Sequence, residues 1–358
     1  MRGGNVLKVA YVSHVDSRWI KQRPQFLAEA LWETSADKSL EVTYVCSFFV
    51  RGRSLVKNQV LSVPVFRVPL IPQSLRRRFP LLEQPAALLS ALLLLIFIRP
   101  EVVVVTHARH WLLARMLKAR GCRIFYDCMD INSLFPDSIN LDLDNEACLV
   151  AECQKVFCSS AGIEAHVLAL NANSRVLTVR NGLSAESFKV PLTTSISPGT
   201  VGYVGTVSSW FDFDVVLALL EADPEIVVTL AGPVDVPIPF HERLRYTGVL
   251  PHSAAIAMMT ECAVLVLPFC VTRLIEAVDP VKLYEYVAAG RPVVAVRYPQ
   301  LEHFGSLIHR YESQTEFVTK VRDLLKQDGL DDISREAFVR KNSWSQRAGI
   351  VRSELLKC

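Results

Sequence analysis

The 358-residue chain predicts an α/β protein built as two units, each a parallel sheet covered by helices. Three observations predict it. Short β-branched runs alternate with helical periods along both halves of the chain. A stretch rich in Ser, Thr and Pro, 184–199, separates one such series from the next. The length exceeds one ordinary domain, and 51% apolar residues supply two cores that need no disulfide or metal staple.

In the first half, 6–12 reads as a buried strand and 24–32 as a helix with Pro24 in its first position. A strand at 40–48 follows. The Leu-rich run 86–98 reads as a helix that feeds EVVVVT at 101–106, a β-branched run suited to a central parallel strand. Helices at 111–119, 142–152 and 162–170 alternate with strands at 123–127, 156–159 and 176–179. The second series has strands at 201–204, 226–231, 263–268 and 292–296, with helices at 213–220, 254–259 and 280–289. Asp279 is placed to cap the last of these helices, and Gly290 to end it. The predicted organisation is a Rossmann-like domain over 1–183, a linker over 184–199, a second Rossmann-like domain over 200–335, and a C-terminal helix over 336–358 at the junction.

The net charge of +3 gives no reason to expect nucleic-acid binding. The nine cysteines form no C-x-x-C pair and no zinc spacing, which fits reduced thiols in a cytoplasmic protein. The N-terminal apolar run is too short for a signal peptide. The 13 residues 86–98 also fall short of the ~20 a membrane span needs. Two readings stand for that segment: a buried helix, or a helix docked on a membrane surface with help from Arg76, Arg77 and Arg78.

No G-x-G-x-x-G follows the first strand, and no P-loop, G-x-S-x-G or H-E-x-x-H occurs. The informative block is DPVKLYEYVAAGRPVVAV at 279–296. On a helix, Lys282 and Glu285 share a face. Lys282 lies in the first turn, where free N–H groups and the helix dipole favour an anion such as a diphosphate. Glu285 offers two acceptor oxygens, a match for a ribose diol. The same spacing also describes a solvated Lys–Glu pair. Gly205, ending a strand, permits close approach of a phosphate to the backbone there and at Thr206.

The block resembles the donor-binding helix of family-4-like glycosyltransferases, with Lys282, Leu283 and Glu285 in its PVKLYEY core. Other blocks resemble the same family in the same order: WIKQRPQ at 19–25, YDCMD at 126–130, RNG at 180–182 followed by Phe188, GYVG at 202–205, WFDFD at 210–214, AGP at 231–233 and LPF at 267–269. The resemblance spans nearly the whole chain. It implies GT-B architecture, two Rossmann-like β/α/β domains facing a central cleft, with the acceptor on the first and a nucleoside-diphosphate sugar on the second. One position departs from the pattern. The family carries a Glu eight residues before Glu285, where this chain has Ala277, so Glu276 or Asp279 is left to replace that carboxylate.

Arg23 is a candidate phosphate or acceptor contact, with a surface salt bridge as the alternative. His107 and Asp130 follow strands, and each is a candidate base for a sugar hydroxyl. A core histidine and a turn cap are the respective alternatives. D-x-D strings at 142–144 and 212–214 fall at predicted helix starts, where capping accounts for them better than a metal does. The resemblance thus implies a retaining transfer without metal or other cofactor, from a sugar nucleotide to a glycan or lipid-linked glycan of the cell surface, at the inner face of the membrane. A sugar-nucleotide epimerase and an inactive sugar-nucleotide-binding partner are the alternatives.

Overall fold

β-Branched and aromatic runs form the strands, and the computed structural model orders them into two all-parallel sheets. It describes residues 6–35, 37, 39–48, 60–71, 73–135, 140–184, 196–327, 329 and 331–357. One unit comprises Met1–Arg180 with Trp344–Cys358, and the other Asn181–Ser343.

The first unit contains β1 (Leu7–Val12), α1 (Arg23–Glu33), β2 (Leu40–Ser47), β3 (Val65–Val68), α2 (Gln73–Arg78), α3 (Glu83–Leu93), β4 (Val102–Val105), α4 (Trp111–Lys118), β5 (Arg123–Cys128), α5 (Asn140–Glu152), β6 (Lys155–Cys158), α6 (Ala161–Leu170) and β7 (Val176–Thr178). Its sheet runs β3-β2-β1-β4-β5-β6-β7. All four valines of β4 are buried, as a central parallel strand requires.

The second unit contains β8 (Ser197–Val204), α7 (Phe213–Ala222), β9 (Val227–Ala231), β10 (Leu244–Tyr246), α8 (His252–Glu261), β11 (Cys262–Leu267), α9 (Arg273–Ala277), α10 (Val281–Ala288), β12 (Val293–Val296), β13 (His309–Tyr311), α11 (Gln314–Leu324) and α12 (Asp332–Lys341). Its sheet runs β10-β9-β8-β11-β12-β13. The chain then returns to the first unit as α13 (Trp344–Leu355). There the Trp344 ring stacks on Phe26 of α1, with centroids 5.5 Å apart. The expected single terminal helix is therefore two helices, one in each unit.

Both sheets place their first strand beside their fourth in chain order. Strand order reverses there, and the loops leaving those two strands diverge. That crevice lies after β1 and β4 in the first unit, and after β8 and β11 in the second.

Several boundaries differ from the sequence reading. Helix α1 begins one residue earlier, at Arg23, because Gln22 caps it and Gln25 completes a capping box. Of the expected linker, 185–195 lie outside the described residues, and β8 already begins at Ser197. The short strands β3, β10 and β13 were not foreseen. They lie at or next to sheet edges, partly exposed and without a clear apolar alternation.

The Leu-rich helix starts earlier than expected, at Glu83. Pro85 sits in its first turn, where its missing N–H leaves no bond unmade. A π-helical turn, Leu94–Ile98, extends it to Arg99, whose φ of 55° ends the run. Among the described residues, no helix is long and apolar enough to cross a membrane. Arg76 does not flank this helix as a solvated charge. It is buried, paired with Asp142 at 2.7 Å and Glu83 at 3.0 Å.

Candidate active site

The crevice of the second unit is built around Lys282. Strand β8 ends at Val204, whose backbone is held by α10: the Val204 N–H donates to the Tyr286 hydroxyl at 2.8 Å. The next residue must be glycine. A Cβ on Gly205 would sit 1.7 Å from Cε of Lys282, and one on Gly232 would sit 2.2 Å from the Gly205 carbonyl oxygen. Two glycines thus bring two strand-end loops and one lysine stem into contact. Thr206, half-buried, follows in the same loop, and its carbonyl accepts from the Tyr203 hydroxyl at 2.7 Å.

The Lys282 ammonium lies 5.9 Å from the Tyr203 ring centroid and 5.8 Å from that of Phe269. It makes no hydrogen bond or ion pair with a described residue. Burial lowers its pKa to about 8, and Glu285 pulls it the other way. Glu285 stands one turn further on, with Oε1 3.0 Å from Nε2 of His252, the first residue of α8. His252 was not singled out in the sequence. A histidine opening a helix after a strand and a loop was the available signal.

The neighbours on the α9–α10 connection separate into different roles. Pro280, not Asp279, occupies the N-cap of α10. Asp279 is 2% exposed, and its carboxylate accepts from the Asn181 N–H at 2.8 Å and the Tyr284 hydroxyl at 2.9 Å. It therefore ties the turn at Asn181 to the donor helix and is a positioning residue. Leu283 is fully buried in the core and its N–H is bonded to Pro280, so its side chain holds the helix down. Ala277 is buried, whereas Glu276 is exposed on the short helix α9. Glu276 is accordingly the carboxylate of this stretch left open to solvent.

The crevice of the first unit gathers polar groups at the ends of adjacent strands. His107 follows β4 and Asp130 follows β5. The His107 Nδ1 accepts the Arg109 N–H at 3.1 Å, which leaves the ring proton of the neutral form on Nε2. Burial, with Arg109 next, holds its pKa well below the usual histidine range. His107 is therefore better suited to donate a hydrogen bond than to take a proton. Asp130 has no side-chain hydrogen bond to a described residue, and burial raises its pKa to about 6 while Arg23 opposes. An unpartnered carboxyl with that value suits proton acceptance. His14, two residues past β1, was missed in the sequence. Its ring meets His107 edge-on at 4.9 Å, and its Nδ1 lies 3.0 Å from the Thr106 hydroxyl.

Arg23 does not present its charge for a ligand. It is 3% exposed, and its Nη2 lies 2.7 Å from Asp127, a fully buried carboxylate that also accepts from the Tyr11 hydroxyl at 2.6 Å. The alternative of a surface salt bridge is corrected too, because this pair is core. The D-x-D strings have other work: Asp142 pairs with Arg76, and Asp212 caps α7 through the N–H groups of Asp214 and Val215.

No family model matches the chain. Solved structures do, over nearly its full length. Sucrose-phosphate synthase from Thermosynechococcus elongatus superposes with a TM-score of 0.72 at 13% identity, covering 97% of this chain and 99% of that one. HepE from Anabaena, in complex with UDP and glucose, gives 0.65 at 14% identity, covering 98% and 100%. The chain has the GT-B fold. In sequence, this GT-B chain is 24% identical over 254 residues to the putative teichuronic acid biosynthesis glycosyltransferase TuaH of Bacillus subtilis (strain 168), covering 62% of this chain. The match spans just under two thirds of that relative, 64% of its length.

A partly buried ammonium that makes no ion pair with a described residue destabilises the fold that holds it. The folded pKa of about 8 lies below the ~10.4 of an unfolded lysine, so this penalty is complete below pH 8 and fades as pH rises towards 10. Lys282→Met is expected to raise stability at pH 7 by about 1–3 kcal/mol, read as an increase of several degrees in Tm. The gap from wild type should narrow between about pH 8 and 10. A lower Tm for the variant at pH 7 would show that the ammonium is compensated.

Proposed function

We propose that the chain transfers a sugar from a nucleoside-diphosphate sugar to an acceptor hydroxyl. The observation that carries this reading is Lys282, its stem held against Gly205 at the crevice of a GT-B sheet and its ammonium without an ion pair among the described residues. Departure of the diphosphate from the anomeric carbon leaves negative charge on its oxygens. Lys282 and the N–H groups opening α10 stabilise that charge from fixed positions. This assignment uses no divalent ion or other cofactor. Glu285 accepts the ribose diol, with His252 orienting its carboxylate. Glu276, exposed beside the buried Ala277, is the carboxylate nearest in sequence to the sugar-binding position of the resembling family.

In the first unit, Asp130 takes the acceptor proton and the Nε2–H of His107 donates to a sugar hydroxyl. The bound UDP and glucose of HepE support a uridine-diphosphate sugar as the first donor to test. The resemblance supports retention of configuration, which the anomeric proton signal of the product reports directly.

The name of the Bacillus relative supports a cell-surface glycan, free or lipid-linked, as acceptor. Helix α3 and the turn after it support a membrane-proximal one. Ala87, Ser90, Ala91 and Leu94 face inward, while Leu88, Leu89, Leu92, Ile96 and Phe97 are each about half exposed or more. Arg78 and Arg99 are exposed at the two ends of this stretch. Apolar surface flanked by arginines suits the anionic inner face of a cell membrane.

Glu285→Ala and Lys282→Ala should each weaken sugar-nucleotide binding by about 1.5–3 kcal/mol in calorimetry. The diphosphate diester does not titrate near neutrality, so wild-type affinity should fall as pH rises through about 8, where Lys282 loses its proton in the free protein. The Lys282→Ala variant should lack that dependence. Wild-type affinity in both variants would remove the assignment.

Sedimentation with phosphatidylglycerol vesicles should be lost in Leu88→Glu plus Leu92→Glu. Equal sedimentation of variant and wild type, or none by either, would remove the membrane contact.

A further inference from the structure

In the first unit β1 and β4 lie side by side, and each is followed, two residues on, by a histidine. His14 comes after Val12, and His107 after Val105. The two rings meet edge-on between the loops that leave those strands, with centroids 4.9 Å apart.

Each ring is held through one nitrogen. The His14 Nδ1 lies 3.0 Å from the hydroxyl of Thr106, a residue 3% exposed. That oxygen also accepts the His14 N–H at 3.4 Å. The hydroxyl proton has no other acceptor among the described residues, so it goes to Nδ1. The ring proton of His14 is then on Nε2. His107 reaches the same tautomer by another route, because its Nδ1 accepts the Arg109 N–H at 3.1 Å. In both rings Nε2–H lies across from the bonded nitrogen and makes no hydrogen bond with a described residue. Both histidines are partly exposed.

The charges around the pair keep it neutral. Burial, then Arg109, push the His14 pKa down to about 3. Burial and Arg109, followed by His14, His110 and Arg76, hold His107 well below the usual histidine range. His110 is held neutral in the same way, and Asp142 acts on Arg76 and Arg109 rather than on the rings. Neutral N–H donors match uncharged oxygens, since they cannot offset the charge of an anion. Sugar hydroxyls are uncharged acceptors that occur in neighbouring pairs.

We infer that His14 is a second sugar-contacting residue of the first unit, with its Nε2–H and that of His107 donating to neighbouring hydroxyl oxygens of one sugar. Thr106 is its positioning residue, because its hydroxyl occupies Nδ1 and leaves the proton on Nε2. A site built to bond a hydroxyl rejects the analogue that lacks it, so the pair also sets specificity. That this sugar is a substrate rests on the transferase reading. The contact itself does not.

The test follows the histidine ring nitrogens by 15N NMR of the full-length chain, alone and with glucose or galactose, each free or as its UDP sugar. Without ligand, both rings should show the Nε2–H tautomer and take up no proton between about pH 8 and 5. The Nε2 signals of His14 and His107 should move together when the sugar is added. Paired movement with a free sugar assigns the pair to an acceptor, and paired movement with the UDP sugar alone assigns it to the donor. Either upholds the contact. His14→Phe keeps an aromatic ring against His107 and removes the donor, so it should weaken the same ligand by about fivefold. Thr106→Val, which matches Thr in shape, should leave His14 in mixed tautomers and weaken the ligand in the same direction. It keeps the test open if His14→Phe fails to fold. Movement of His107 alone, movement of neither ring, or unchanged affinity in the variants would overturn the inference. So would a His14 ring that gains a proton near the ordinary value of about 6.5. Paired movement with a free sugar, in a chain that binds no sugar nucleotide, would uphold the contact and overturn the transferase reading instead.

Discussion

Lys282 carries its ammonium into the strand-end crevice of the second unit, and it makes no ion pair with a described residue. The ring faces of Tyr203 and Phe269, 5.9 and 5.8 Å away, compensate it only in part. Much around it follows from the need to hold that stem in place. Gly205 and Gly232 lack side chains because the lysine and the neighbouring loop occupy the space. Tyr286 fastens α10 to the end of β8, and Asp279 fastens the start of the same helix to the turn at Asn181. So much local structure around a cation compensated only in part supports the proposed anion site.

The two units repeat one topology and use it for different chemistry. Each places its polar groups after the first and fourth strands of its sheet, where the crevice is set by strand order rather than by any particular side chain. In the second unit that position holds a cation and a carboxylate acceptor. In the first it holds the neutral imidazoles of His14 and His107, and Asp130 with a pKa raised to about 6 follows the next strand. On the proposed function, phosphate recognition and hydroxyl activation fall to separate units.

The long buried strands and most long helices were legible in the sequence because burial on both faces leaves an unmistakable apolar run, as in the valines of β4. Strands β3, β10 and β13 were not legible, because three or four partly exposed residues carry no period. Lys282, Glu285, His107 and Asp130 could be read as candidates from their places beside strand and helix ends. What could not be read was which charges were already committed. Arg23 is consumed by Asp127, more than 100 residues away in the chain, and Asp279 by Asn181, nearly 100 away. Such long-range pairing leaves no mark in local spacing. His14 was missed for the same reason, since its contact with His107 is one that only the fold supplies.

The most direct measurement of the central claim is the titration of the Lys282 Nζ itself, by NMR of lysine-labelled protein with and without a saturating sugar nucleotide. In the free chain this ammonium should titrate near pH 8. With the diphosphate bound, its pKa should rise by more than about one unit, because the new counter-ion favours the charged form. A pKa that stays the same on binding would contradict the assignment of Lys282 as the anchor of the leaving diphosphate.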